Sequence, residues 1–431
     1  MQVRDDPEAS LLAGDRMGLI GRPEAVEGWP GVAGFSRFDV AVRAPAAFAG
    51  AIAGPSGSGA CWWDERKARA AAVSEACERY CGSLVPGGLT RASWSDLDRA
   101  GVAAVRPDGL ALHSAEQVTA AGFPFVGLDA GTPVLWASGR RLVTGDTVAV
   151  PASIVYLSWL TGPTVGEPPT NFPVSAGVAA GPDIESAVGA ARREVLERDA
   201  LATAWACGWP FPPLAVPSWI NDVAGSLGPG ADLRVNLVPN RDRLPVVFAA
   251  VFDTAHGLVG SGCALRDTVE EGALKAIAEA VVSLDAAAQV ADESSPFIRR
   301  LSTRAGPLKP WRADRRYLRS YRQDWSDVVD LACHVQLLLD PELQALVHAR
   351  LAAVPGATAV PGAPMAGRDG TERAGGGSVV VVDVTTADVA EAGITVVRVV
   401  APGRRSTAPA AFPYLSGLPE PPACLAPVPL A

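Results

Sequence analysis

The chain has 431 residues, 48% of them hydrophobic, and a formal net charge of −9. That length holds two or three ordinary domains or one large one, and the apolar share supports a full core. The acidic balance, with no basic run, argues against a nucleic-acid surface, and no apolar run of about 18 residues exists to cross a membrane. Seven scattered cysteines, at 61, 77, 81, 207, 263, 333 and 424, fit free thiols in a reducing cytosol. Cys77 and Cys81 lie one helical turn apart, but no second Cys/His pair accompanies them at zinc spacing. The start, Met1–Ser10, lacks the charged and apolar regions of a signal peptide. A cytoplasmic protein is expected.

In chain order, residues 1–60 read as strands and loops, with 54–59 a flexible glycine-serine loop. A helix of about 20 residues follows, Asp64 to Cys81, with Asp64 as N-cap. Val134–Trp136 and Val148–Val150 read as strands around a turn near Gly145. Ser175–Gly181 reads as a second small-residue loop, before a helix over about 184–206. Leu244–Phe252 is a candidate buried strand, Gly260–Gly262 a third small-residue turn, and about 268–290 a third helix. The expected unit is therefore strand, glycine-rich turn and acidic helix, used three times. Farther on, a helix covers about 341–353, and the Pro/Gly/Ala-rich stretch 355–378 reads as an exposed mobile loop. Ser378–Asp383 and Thr395–Val400 are strong strands joined by a helical segment over 386–391, a βαβ-like unit with a parallel pair expected. Seven prolines in the last 23 residues make the tail extended.

The three helices carry the chemistry. The first contains Glu75, Glu78 and Arg79, the second Glu194, Glu197 and Arg198, and the third Glu279. Glutamates three apart share a helix face, which costs a few tenths of a kcal/mol. One such motif is often only a solvated face with local ion pairs. Two near-identical copies over 100 residues apart suggest more. If the helices pack side by side, their carboxylates could hold magnesium on a polyphosphate. Arg79 and Arg198 would then clamp phosphate oxygens or fix the carboxylates. Ser56 and Ser58 in the first glycine-rich segment and Ser175 in the second could donate to phosphates. No Walker A pattern, dinucleotide fingerprint or nucleophile elbow is present. The four histidines are isolated, and His334 reads as a packed or capping residue.

These motifs resemble the YcaO-domain family, most closely the D-protein component of thiazole- and oxazole-forming peptide cyclodehydratases. Asp15–Ile20, Ala68–Tyr80, Phe123–Phe125, Gly145–Pro151, Ser175–Ala200, Asp330–Asp340, Asp383–Asp388 and Val397–Gly403 carry the resemblance. It implies an α+β (mixed α/β) fold around one ATP site, with ATP and Mg2+ as cofactors. Glu75, Glu78, Glu194 and Glu197 would bind magnesium-nucleotide, Arg198 a phosphate, and Glu279 would lie in the third nucleotide-binding helix. One YcaO domain is implied: an N-terminal region over 1–60, a nucleotide-binding core over 61–354, a loop over 355–378 and a closing unit over 379–431.

The reaction implied is phosphorylation of a backbone amide oxygen, with cyclodehydration of Cys, Ser or Thr to an azoline in a ribosomally made precursor peptide. An amine nucleophile would give an amidine and sulfide a thioamide; a non-catalytic scaffold is the alternative of another class. A separate leader-peptide-binding partner and a homodimer are further expectations. The chain departs from many relatives at Ser58, Ala176, Val282 and Leu284, where they carry Lys or Arg, Asn, Gln and Arg. The first departure removes a cation from beside the triphosphate.

Overall fold

The glycine-rich segments are largely strands rather than loops. The computed structural model describes residues 18–27, 32, 34–43, 54, 56–161, 164–215, 218–303, 306–352, 378–420, 422–423 and 426–429. It begins with β1 (Glu24–Ala25), β2 (Phe35–Ala41), β3 (Ser56–Trp62) and α1 (Glu65–Ser83). Next come β4 (Thr90–Ala92), α2 (Trp94–Arg99), α3 (Ala115–Thr119), β5 (Val134–Arg141), β6 (Thr147–Pro151), β7 (Val178–Gly181) and α4 (Ile184–Ala206). Then follow α5 (Ser218–Ser226), β8 (Ala231–Leu237), β9 (Val246–Asp253), β10 (Leu258–Leu265) and α6 (Val269–Ala291). The chain closes with α7 (Pro296–Leu301), α8 (Leu331–Leu337), α9 (Pro341–Ala352), β11 (Val380–Asp383), α10 (Ala387–Glu391) and β12 (Thr395–Val400). Of the segments singled out in the sequence, Asp15–Met17, Pro55, 355–377, Leu430 and Ala431 lie outside the described residues.

The described strands form three sheets, ordered β1-β2-β3, β10-β9-β8 and β4-β5-β11-β12-β7, with β6 on β5. Every pairing between the described strands is antiparallel, so the fold is α+β. The expected parallel pairing of the closing strands is corrected here: Val380 faces Val400 and Asp383 faces Val397 in an antiparallel register. The connection holds a helix of only five residues. A parallel crossover needs a dozen residues or more to climb back to the start of its sheet.

Helix starts follow the sequence. Asp64, Asp183 and Thr268 accept from the backbone N–H of Lys67, Ser186 and Glu271 respectively, capping α1, α4 and α6. Valines of β11 and β12 are buried on both sheet faces. Val380, Val382, Val396 and Val400 join the core containing α1; Val379, Val381, Val397 and Val399 join the one containing α4. Unbroken apolar runs are what a strand covered on both faces requires. Farther along α4, Leu196, Leu201 and Trp205 enter the core of α6 and the β8–β10 sheet.

Glycine reads as a turn signal, but here it allows close approach of a helix to a strand. A Cβ on Gly57 of β3 would lie 2.5 Å from Ala72 O of α1, and one on Gly262 of β10 would lie 2.5 Å from Glu279 Cβ of α6. Alanines on the facing stripe, Ala68, Ala72 and Ala76 in α1 and Ala273, Ala276 and Ala280 in α6, complete the contact.

The extended tail is pinned from three sides. Trp205 Nε1 donates to Ala426 O at 2.9 Å, His334 Nδ1 to Val428 O at 3.0 Å, and Ser261 Oγ to Pro429 O. His334 Nε2 accepts from Ala410 N–H at 3.1 Å, so this histidine is buried and satisfied, as expected. The six described cysteines are unbridged, and no described helix is long and apolar enough to cross a membrane.

Gly57→Ala and Gly262→Ala should each lower unfolding free energy by roughly 1–3 kcal/mol, because backbone must shift to admit the methyl group. Gly87→Ala, whose Cβ would meet nothing within 4 Å, should stay within about 0.5 kcal/mol. Equal denaturant midpoints for all three would refute the close-approach reading.

Candidate functional site

The strands β3, β7 and β10 each end a sheet, so each has one backbone edge with no strand beside it. Unpaired edge N–H groups need other acceptors when buried. The acidic helices supply them. Glu75 of α1 accepts from Ser58 N–H of β3 at 2.8 Å. Glu194 of α4 accepts from Gly177 N–H, just before β7, at 3.0 Å. Glu279 of α6 accepts from Cys263 N–H of β10 at 3.3 Å. The sequence separations are 17, 17 and 16, the mark of one repeated strand–helix unit.

The second glutamate of each complete motif reaches the next unit. Glu78 accepts from Ala180 N–H of β7 at 2.8 Å, and Glu197 from Leu265 N–H of β10 at 3.0 Å. The third helix has Val282 at this place. Its link back to the first unit is different: Trp62 Nε1 of β3 donates to Leu274 O of α6 at 3.2 Å, and Arg37 of β2 pairs with Asp285 of α6 at 2.7 Å. Three units are thus joined in sequence, the third closing on the first.

Each motif glutamate uses one oxygen on a strand. The other oxygen of four of them faces a cation. Arg79 meets Glu75 at 3.0 Å and Lys275 meets Glu279 at 3.2 Å. Arg198 lies between Glu197, at 3.5 Å, and Glu194, at 4.0 Å. Burial raises the pKa of Glu78 well above the carboxylate range, and Glu75 and Glu194 add to it. Burial likewise raises Glu194, and pushes Glu197 up to about 8 against the pull of Arg198. Burial also opposes charge on Glu279, but Lys275, Arg198 and Arg266 outweigh it and hold the pKa low. The five carboxylates therefore sense one another along a row that the resident cations only partly neutralise.

Of the other sequence candidates, Ser58 sits in this row, but its hydroxyl is taken by Asp39 and its N–H by Glu75. Ser56 is exposed at the start of β3. Ser175 is half-buried, and its carbonyl accepts from Val178 N–H at 2.9 Å. Ala176 is buried and lines the same cleft as Val195 and Arg198.

Among the described residues, no three His, Cys, Asp or Glu groups could hold a metal ion by themselves. The donor set still fits magnesium, which takes one or two carboxylates and completes its shell with water and phosphate oxygens. Partly neutralised carboxylates beside arginine and lysine suit a cation bridged to a polyanion.

Several members of the site are not evident from motif reading. Arg398 stands alone in the valine-rich β12, buried, and its Nη1 donates to Val174 O at 2.8 Å. Its one sequence signal is an arginine inside a strand buried on both faces. Asp199, just after Arg198, anchors the segment beyond β12. It accepts from Arg404 Nη1 and Arg241 Nη2, each at 3.0 Å, and from Arg405 N–H at 2.9 Å. Asp199→Ala should destabilise the fold by about 1–3 kcal/mol, since it leaves the buried Arg405 N–H without its acceptor and removes one of the two carboxylates on Arg404, which Asp242 still holds. Thermal and chemical unfolding measure this, and a change below about 1 kcal/mol would count against the anchoring role.

Comparison with known proteins bears on the fold and the family. No curated protein matches the chain. A heterocyclase in complex with substrate and cofactor superposes with a TM-score of 0.65 at 18% identity, over 92% of this chain and 51% of that one. The chain thus spans about half the heterocyclase's length. YcaO from Methanopyrus kandleri, bound with AMPPCP and Mg2+, superposes with a TM-score of 0.55 at 18% identity, over 90% and 86% of the two chains. A chain of the E. coli microcin synthetase McbBCD complex gives 0.53 at 11% identity, over 89% and 88%. At these identities the likeness is one of fold. A family model described as YcaO cyclodehydratase, ATP- and Mg2+-binding, matches residues 57–405, which include all three acidic helices, and the chain belongs to that family.

Proposed function

We propose that this protein is an ATP-dependent cyclodehydratase that activates backbone amides of a ribosomally made precursor peptide and closes azoline rings at Cys, Ser or Thr. The observation that carries the reading is the row of five glutamates, each fixed by a backbone N–H and four of them facing a cation. Such a row positions a triphosphate without offering a nucleophile of its own. Catalysis by positioning and charge is what phosphoryl transfer needs.

In this reading the peptide supplies the nucleophile. A side-chain thiol or hydroxyl adds to the preceding carbonyl carbon and gives a hemiorthoamide. Its oxygen takes the γ-phosphoryl group of ATP, and ADP leaves. The C–O bond then breaks with its electron pair on phosphate, the amide nitrogen loses its proton, and C=N forms. Magnesium would supply charge neutralisation on the triphosphate. Glu75, Glu78, Glu194 and Glu197 would hold it, and Arg198 would meet a phosphate. Lys275, paired with Glu279 in the same row, would supply a cation in place of the one that many relatives carry at Ser58. Family membership and the magnesium-nucleotide complex of the Methanopyrus kandleri relative support the cofactor assignment. The E. coli microcin synthetase complex is also solved with pro-MccB17 bound, which supports a precursor peptide as substrate. A leader-binding partner protein, a homodimer and a cytoplasmic location complete the proposal.

Titration calorimetry should show ATP binding that requires Mg2+. Glu197→Gln keeps an acceptor for Leu265 N–H but removes the charge. It should weaken magnesium-nucleotide binding by at least about 10–100-fold, the range seen when a metal site loses even an outer partner, with the unfolding midpoint little changed. No binding at millimolar nucleotide by the folded wild-type chain would sink the catalytic reading. Tandem mass spectrometry of a candidate precursor incubated with ATP should show loss of one water, located at a Cys, Ser or Thr residue. A ring through an amine, or replacement of oxygen by sulfur, would reassign the nucleophile.

A further inference from the structure

Beside α4, on the side of β12, lies a cleft of about 80 Å3. Its charged lining is entirely basic: Arg198, Arg398, Arg404 and Arg405, with no Asp or Glu among the lining residues. Two of the four arginines are already engaged. Arg404 is held by Asp199 and Asp242. Arg405 donates to Tyr414 O at 2.6 Å, Thr203 Oγ1 at 2.8 Å and Ser416 O at 2.7 Å.

The other two are not fully engaged. Arg398 is only 5% exposed, yet its Nε has no hydrogen-bond partner in the protein. Arg198 Nη1 is also buried without a hydrogen bond, although Glu197 lies 3.5 Å away. Ser406 Oγ, in the same lining, is a third buried polar atom without a partner. Buried donors are nearly always satisfied, so three unsatisfied ones lining one cleft point to an acceptor that binds there. Two guanidinium groups and a hydroxyl match a tetrahedral oxyanion.

We propose that this cleft is a phosphate site, sharing only Arg198 with the glutamate row, and that it receives the inorganic phosphate released when the activated C–O bond breaks. This rests on the function proposed above. The phosphate arrives carrying the electron pair of the broken bond, and the donors of Arg398 and Ser406 stabilise that charge as it develops. Arg198 is common to both sites: it lines the cleft, while its Nη1 lies 3.5 Å from Glu197 and its Nη2 4.0 Å from Glu194. Phosphate would thus lie against a lining without carboxylates, and its return toward the glutamate row would be disfavoured.

Inorganic phosphate binding to the full-length chain tests this, read by titration calorimetry beside Mg2+ with a non-hydrolysable ATP analogue. Phosphate should bind the wild type saturably and more tightly than acetate. Arg398→Met should weaken phosphate by about tenfold or more, the scale of one charge-assisted contact, and weaken the nucleotide analogue much less. Ser406→Ala should weaken phosphate in the same direction and carries the test if Arg398→Met does not fold. Unchanged phosphate affinity in the folded variants would overturn the proposal. So would acetate binding as tightly as phosphate, no phosphate binding by the wild type, or equal losses for phosphate and nucleotide. If the wild type binds phosphate but never the nucleotide analogue, the phosphate site stands and the proposed function falls.

Discussion

The site depends on how this protein terminates its sheets. Three sheets each bring a bare strand edge to a common region, and each edge would strand N–H groups away from water. The glutamates of α1, α4 and α6 accept those groups. A hydrogen bond to a charged acceptor contributes roughly 1.5–3 kcal/mol. Burial favours the neutral form of Glu78, Glu194 and Glu197, so raised pKa values and the backbone bonds together offset the repulsion between glutamates one turn apart. Carboxylates that would otherwise demand a fully solvated surface are thereby held in the interior.

The arrangement also explains why structure and chemistry do not compete. A carboxylate has two oxygens, and the strand takes only one. The helix sets the direction of the side chain and the N–H locks its rotation, so the second oxygen is presented in a fixed place. Pre-organisation of this kind is what a rigid polyanion requires, because nothing has to reorder when it arrives. The tight alanine-on-glycine packing is part of the same device. A thicker interface would carry the helix beyond hydrogen-bond reach of the strand.

Much of this could be read from the residues. The approximate boundaries of α4 and α6, the capping residue Asp64, and the membership of the five glutamates in one family of helices follow from local rules. Three things did not. The segments around Gly57 and Gly262 look like loops because glycine frees the backbone, and only the neighbouring helix reveals that it is the missing side chain that matters. The antiparallel pairing of β11 with β12 is a matter of how far a short connection can travel, which an apolar run does not encode. Arg398 and Asp199 act across more than 170 residues of sequence, on Val174 and on Arg404 and Arg405, and no local pattern announces such partners. The inequality of the third helix, by contrast, is visible in both: Val282 stands where the other units have Glu78 and Glu197, and α6 is joined to the first unit through Trp62 and Arg37 instead.

The order β4-β5-β11-β12-β7 has a consequence for how the chain is made. The strands β5 and β7 are separated in space by a pair that is translated more than 190 residues after β7. Until residue 400 has emerged, the largest sheet lacks its middle, and the stretch of α4 around Ala187, Val188 and Ala191 lacks the valines that cover it. Pairings this distant in sequence fold slowly and leave sticky surface exposed meanwhile. Completion of the chain, rather than any early helix, therefore gates the birth of an active molecule, and a product shortened before β11 would be a substrate for chaperones and proteases rather than a weaker enzyme.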